Sequence, residues 1–166
     1  MVRLWIGGLL WVACTLVGIG VGNSYKKREK FWDEWKEFCL VMSNSIKNLR
    51  MSQSKIIEKY VMDKKGQFIE FLVCYDQYLN SQIKDTKKLD ELVKNTPLFK
   101  KEYKYLKEFV QSLGKVDFNM QVDILNYQCN LVDRMADISK KQMKSNGLLW
   151  YKLGFVIGLV IMILVV

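Results

Sequence analysis

Apolar residues follow two different patterns along this chain. At either end they form a solid block; between the blocks they recur at intervals of three and four. The first block, LWIGGLLWVACTLVGIGVG, runs from Leu4 to Gly22 and carries no charge. A helix of that length rises roughly 28 Å, close to the thickness of a bilayer's hydrocarbon layer. The second block, GLLWYKLGFVIGLVIMILVV, begins at Gly147 and contains one charge, Lys152, about one turn inside its near end. From there the lysine stem can carry its ammonium to the headgroups. Trp150 and Tyr151 mark the same end, as residues of an interfacial belt do. A cleaved signal would need a shorter apolar core and a small-residue cleavage site, whereas this block stays apolar to Val21 and is followed by lysines. Both blocks are therefore predicted to be retained spans.

Helical periodicity governs the segment between them. Phe31, Trp32, Trp35, Phe38, Cys39, Met42, Ile46 and Leu49 form one stripe, predicting a helix over 25–50 that continues from the first span. Ser52 is a cap candidate for a short helix bearing Ile56, Ile57, Tyr60 and Val61, which ends near Asp63. The stretch from Gln67 to about Ile83 is apolar nearly all round and is expected at the centre of the bundle. Asp85 or Thr86 opens a small helix with Leu89, Leu92 and Val93. Thr96-Pro97 reads as a cap followed by proline at the first helical position, starting a helix that stops at Gly114. Asp117 then caps a long helix through Leu125, Cys129, Val132 and Ala136, which passes without proline into the second span, with a bend expected at Asn146-Gly147. The fold class is all-α: a membrane-anchored bundle of about six soluble helices with one transmembrane helix at each end. Its domains are 1–23, 24–146 and 147–166.

Charge orients this arrangement. Of 26 Lys and Arg, all but Arg3 and Lys152 lie between the spans, with all 17 Asp and Glu. Lys26, Lys27, Arg28 and Lys30 follow the first span; Lys140, Lys141 and Lys144 precede the second. Such flanks are retained on the cytoplasmic side, so the central domain is expected in the cytoplasm and both termini outside. The basic excess is read as attraction to anionic headgroups of the lipid bilayer. Nucleic acid is not an expected partner, because lysines alternate with acids and no recognition motif occurs. Lys100, Lys101, Lys104 and Lys107 form either a solvated face or a contact for an acidic partner or lipid.

Composition removes much chemistry. There is no histidine, hence no His-dependent triad and none of the commonest zinc ligand. Cys14, Cys39, Cys74 and Cys129 form no CxxC pair and read as unpaired structural thiols. No phosphate-binding glycine loop occurs, and adjacent acids such as Asp33-Glu34 point to different helix faces. Catalytic, cofactor-binding and metal residues are expected to be none, and the chain is not expected to be an enzyme. Gly18 with Gly22, and Gly154 with Gly158, are small-xxx-small pairs. They mark either a helix–helix contact in the membrane or the general abundance of glycine in such helices.

The last third carries the most specific resemblance. SLGKVDFNMQ, with Leu113, Gly114, Asp117 and Gln121, resembles the LG-x-x-D-x-x-x-Q junction of the stage III sporulation protein AB family. KLGFVIG, with Leu153, Gly154 and Gly158, resembles that family's entry to the second span, and Gly18 and Ile46 fall where it has a span glycine and a helix isoleucine. Around Ile46 the family shows an acid, a tyrosine and a proline where this chain has Ser45, Asn48 and Ser52. The resemblance implies a bundle similar to the type II secretion F-type cytoplasmic domain. It further implies a non-catalytic platform subunit of the secretion-like transenvelope complex between mother cell and forespore, in the mother-cell membrane around the forespore. By the same implication its partners are a motor ATPase, stage III sporulation protein AA-like, and other membrane subunits, with oligomerisation open. Leu113, Gly114, Asp117 and Gln121 are then either a structural corner, with a left-handed glycine cap and an aspartate N-cap, or a docking site for the ATPase. Two other readings fit the layout: a membrane-tethered regulator binding lipid or a soluble partner, and a holin-like pore former, whose spans would carry more polar residues than these.

Overall fold

The computed structural model describes residues 2–49, 53–62, 64–80, 86–112 and 118–165, and the regular structure among them is entirely helical. The elements are α1 (Val2–Leu49), α2 (Gln53–Val61), α3 (Gln67–Asn80), α4 (Thr86–Lys94), a 3₁₀ turn (Lys100–Glu102), α5 (Tyr103–Ser112), α6 (Phe118–Gln142), a π turn (Met143–Gly147) and α7 (Leu148–Val165). The all-α expectation holds, and the helix predicted over 25–50 is indeed continuous with the first apolar block. The chain divides into two compact units, one formed by 1–29 with 137–166 and the other by 30–136.

In the 30–136 unit the core is built on aromatic rings of α1. Phe31, Trp32, Trp35, Phe38, Cys39 and Met42 are each at most 1% exposed. The Trp32 and Trp35 rings stack at 4.8 Å and 10°. Trp35 in turn stacks on Phe68 of α3 and meets the edge of Phe109 of α5 at 5.2 Å. Burial of each such side chain contributes roughly 1.5–3 kcal/mol, and ring–ring geometry adds about 0.5–1.5 kcal/mol per pair. Helices as short as α2 and α4 depend on this burial, because nine residues cannot hold a helix in water.

Two expectations are corrected here. α3 is not buried all round: Phe68, Ile69, Phe71, Leu72 and Tyr75 face the core, while Glu70, Val73, Cys74 and Gln77 are exposed. The two tryptophans of α1 fill the centre and leave α3 one covered face. Nor does Thr96-Pro97 start the next helix. The Thr96 hydroxyl donates back to the Val93 carbonyl at 2.7 Å, closing α4, and the chain stays irregular to Phe99. Entry to α5 is made instead by Glu102, fully buried, whose carboxylate accepts the Phe99 N–H at 3.0 Å. The Ser52 cap, the Asp63 terminus and the stretch 81–85 lie outside the described residues.

α3 also has a cap that comes from another helix. The Glu34 carboxylate of α1 accepts the Phe68 N–H at 3.1 Å and lies against Gly66. A methyl group on Gly66 would occupy the space of that carboxylate. The adjoining Tyr60 hydroxyl donates to the Glu34 carbonyl at 3.1 Å, so α2 and α3 are both fastened to one turn of α1. On the far side of the core, the Cys129 thiol of α6 donates to the Cys39 carbonyl at 3.5 Å. Contact with that thiol, followed by burial, pushes the Cys39 thiol well above its ordinary range.

Replacement of Gly66 by alanine is expected to displace Glu34 and cost about 1–2 kcal/mol, the value of an N-cap, measured as a lower melting temperature of the detergent-solubilised chain. A pH dependence follows from two phenols. Burial raises Tyr75, aided by Tyr78 and Asp76, and burial together with Glu37 raises Tyr60. Both favour the neutral form in the folded state, so their contribution is complete below the ordinary tyrosine pKa of about 10 and is lost as pH rises beyond it. Thermal melts between pH 8 and 11 should show this loss, and Tyr75→Phe should reduce its slope.

Candidate membrane hairpin and basic collar

Within the unit of 1–29 and 137–166, residues recurring every three or four positions on α1 meet a matching set on the C-terminal helices. Gly18 lies opposite Gly154, Gly22 opposite Tyr151, and Trp11 with Cys14 opposite Gly158. Residue numbers rise on one side as they fall on the other, so the two helices run antiparallel. At Gly18 and Gly154 the fit is a backbone fit. A Cβ on Gly18 would stand 2.7 Å from the Trp150 carbonyl oxygen and 2.8 Å from the Gly154 Cα. One on Gly154 would stand 2.8 Å from the Gly18 Cα, and one on Gly158 would be 2.8 Å from Trp11 Cδ1. Small residues permit this approach, which matters in lipid, where association rests on packing and hydrogen bonds. By contrast, Gly8 and Gly20 face open space.

Around the seam the remaining contacts suit an apolar solvent. Trp11 and Phe155 meet edge to face at 5.6 Å. The Thr15 hydroxyl donates to the Trp11 carbonyl at 2.9 Å, satisfying itself within its own helix. Leu9, Leu16, Val17, Phe155, Ile163 and Leu164 remain exposed on the outer faces. Two helical stretches, Trp5–Ile46 and Asp123–Val165, contain segments long and apolar enough to cross a membrane.

Polar groups gather at one end of the seam. The Tyr151 hydroxyl donates to Asn23 Oδ1 at 2.7 Å, and Trp150 is exposed beside it. One to two turns further from the apolar blocks, Lys26 and Lys27 on one helix and Lys140, Lys141 and Lys144 on the other are all exposed. These five lysines, distant in sequence, thus form one collar on this unit. Arg28 differs from them. It is 1% exposed, and its Nη1 donates to Gln142 Oε1 at 2.8 Å. Charge counting placed Arg28 in the flank, but its position one turn ahead of Phe31 and Trp32, on the stripe leading to Trp35, was the available sign that it points inward. Lys30 belongs to the other unit and lies 3.6 Å from Glu34.

Where a bend was expected, at Asn146-Gly147, the helix widens into a π turn over Met143–Gly147. Gly147 packs on Tyr25, and inward-facing Ser139, Gly147 and Tyr151 follow at intervals of eight and four. An α-helix would rotate by about 40° at each four-residue step, and the wider π turn absorbs that drift. Leu113, Gly114 and Asp117 lie outside the described residues. Gln121 falls within α6, but its side chain is likewise outside them. Among the described residues no cluster of Cys, Asp and Glu could hold a metal, and the four cysteines are free thiols, with Cys74 exposed and Cys39 buried.

Gly18→Val and Gly154→Val should each lower the thermal stability of the solubilised chain by about 1–3 kcal/mol, the cost of overpacking. Gly8→Ala and Gly20→Ala should leave it unchanged or slightly raised. Equal effects at all four positions would contradict the seam.

The family model described as stage III sporulation protein AB matches residues 3–166. No curated protein and no solved structure matches the chain.

Proposed function

The chain belongs to the stage III sporulation protein AB family, and on that premise we propose that it is a non-catalytic membrane platform subunit that docks a cytoplasmic motor ATPase. Membership gives it a role in sporulation. The finer reading puts it in the mother-cell membrane around the forespore, as part of a secretion-like transenvelope complex with other membrane subunits. The observation that carries this reading is the reach of the match: it takes in both apolar blocks and the whole bundle between them, so the layout is shared and not a single segment.

Physical arguments support the same reading. A helical pair sealed by backbone contact is a rigid anchor. A bundle with an aromatic core is suited to holding a partner rather than to turnover. The absence of histidine from the sequence removes the commonest general base. The lysine collar favours retention of the flanks on the cytoplasmic side, with both termini outside.

Reporter fusions at the termini and within the central domain test the topology. Activity of a periplasm-type reporter is expected at the ends, and of a cytoplasmic reporter in the middle. Changing Lys26, Lys27, Lys140, Lys141 and Lys144 together to glutamine should produce a mixture of orientations. For the role itself, the purified chain in nanodiscs should bind the ATPase, and deletion of the gene should block sporulation while leaving vegetative growth unaffected. Sporulation at the normal level after deletion would end this reading.

A further inference from the structure

We propose that the groove between α5 and α6 is the surface on which the bundle receives a carboxylate-bearing helical segment of its motor partner; this rests on the docking role proposed above. The groove encloses about 300 Å³ and is lined by Tyr105, Tyr127, Asn130, Leu131, Arg134 and Met135. Its floor is firm, because Tyr105 and Met135 pack against the aromatic core. Its rim is open: Tyr127 is 64% exposed, and Asn130 and Arg134 are exposed. Tyrosine, arginine and methionine are the residue types enriched where protein partners bury their contacts, and a cleft between two helices is the usual seat for a helix presenting one face.

Charge selects the occupant. Arg134 enters no ion pair among the described residues, although acids stand near it in sequence. The neighbouring Asp133 is engaged by Lys36 of α1. Glu108 and Asp123, on the same two helices, pair with neither Arg134 nor Lys104. Lys104 holds its ammonium 4.9 Å from the centre of the Tyr105 ring, a cation–π contact that leaves the charge unneutralised. Elsewhere in this unit some lysines find carboxylates, as Lys107 does with Asp90 at 2.6 Å, while others, such as Lys100 and Lys101, enter no ion pair among the described residues. The groove itself presents one uncompensated cation, Arg134, beside an apolar floor, with Lys104 adjoining its Tyr105 wall. A guanidinium in that setting takes an Asp or Glu carboxylate through two parallel hydrogen bonds, while an adjacent leucine-sized side chain fills the space over Leu131 and Met135. A second copy of the chain fits less well, since a two-fold interface sets the same patch against itself and would bring Arg134 and Lys104 toward their own counterparts.

The test uses the full chain in nanodiscs and the purified motor ATPase, with affinity read by fluorescence anisotropy. Arg134→Glu and Tyr127→Ala should each weaken binding by roughly tenfold or more. Arg134→Lys should recover only part of the loss, because an ammonium cannot make the paired bonds. Lys88→Gln on α4 serves as the distant control and should change nothing. Circular dichroism and the melting temperature establish that the variants are folded; Tyr127 and Arg134 project from the surface, so both should match the parent. Restoration of Arg134→Glu binding by an acid-to-lysine change in the ATPase would identify the contacting carboxylate and support the proposal. Undiminished binding by both folded variants would overturn the groove while leaving the docking role standing. Failure of the parent chain itself to bind the ATPase would overturn the docking role and the groove with it. Loss of self-association in Arg134→Glu with ATPase binding intact would assign the groove to a second copy and equally overturn the proposal.

Discussion

The structure depends on α1 remaining one helix. Its inward positions recur at steps of three and four from Gly18 through Gly22, Tyr25, Arg28, Trp32, Trp35, Cys39, Met42 and Ile46. The side chains at these positions differ between the two units. Glycines serve where lipid supplies no drive for association and only close backbone contact holds helices together. Tyrosine and arginine follow, joining apolar bulk to hydrogen-bonding tips. Tryptophan and phenylalanine take over where water makes the burial of large rings favourable. A proline within α1 would interrupt this succession, and the chain's single proline, Pro97, lies outside it.

The same economy appears in how the short helices are ended. α2 and α3 are fixed to α1 by one glutamate, Glu34, through its carboxylate and its backbone carbonyl. The approach to α5 is organised by another buried glutamate, Glu102. In a chain with so many lysines, these two acids satisfy backbone N–H groups, and an ammonium could not replace them. The excess of positive charge therefore falls on the surface and the collar, where its work is electrostatic and directed at what lies outside the molecule.

Much of this was legible in the sequence. The two long apolar helices were legible from composition, and the aromatic stripe of α1 and the inward positions Leu125, Val132 and Ala136 of α6 follow from periodicity, which burial enforces directly. The errors have physical causes as well. α3 looked buried throughout because its composition is apolar, yet composition does not say how many neighbours a helix will have, and the two tryptophans of α1 took the central place. Thr96-Pro97 imitated a helix start because threonine can donate backward as readily as it can accept forward. The glycine pairs were visible as motifs, but a motif cannot name its partner; that Gly18 meets Gly154 depends on a register that only the folded chain supplies. Arg28 was counted with the lysines because charge is counted by type, whereas its burial is set by position.

The π turn has a consequence for how such a chain can change. It holds one residue more than an α-helical path needs between Gln142 and Leu148, and so acts as a vernier between two stretches of helix. The contacts of Gln142 with Arg28, of Gly147 with Tyr25 and of Gly154 with Gly18 can all be met on one side only because that surplus residue resets the angular phase midway. Loss of a single residue there would leave the hydropathy profile almost untouched, yet would turn every downstream glycine away from its partner. In this hairpin, fidelity is stored in rotational phase rather than in hydrophobicity.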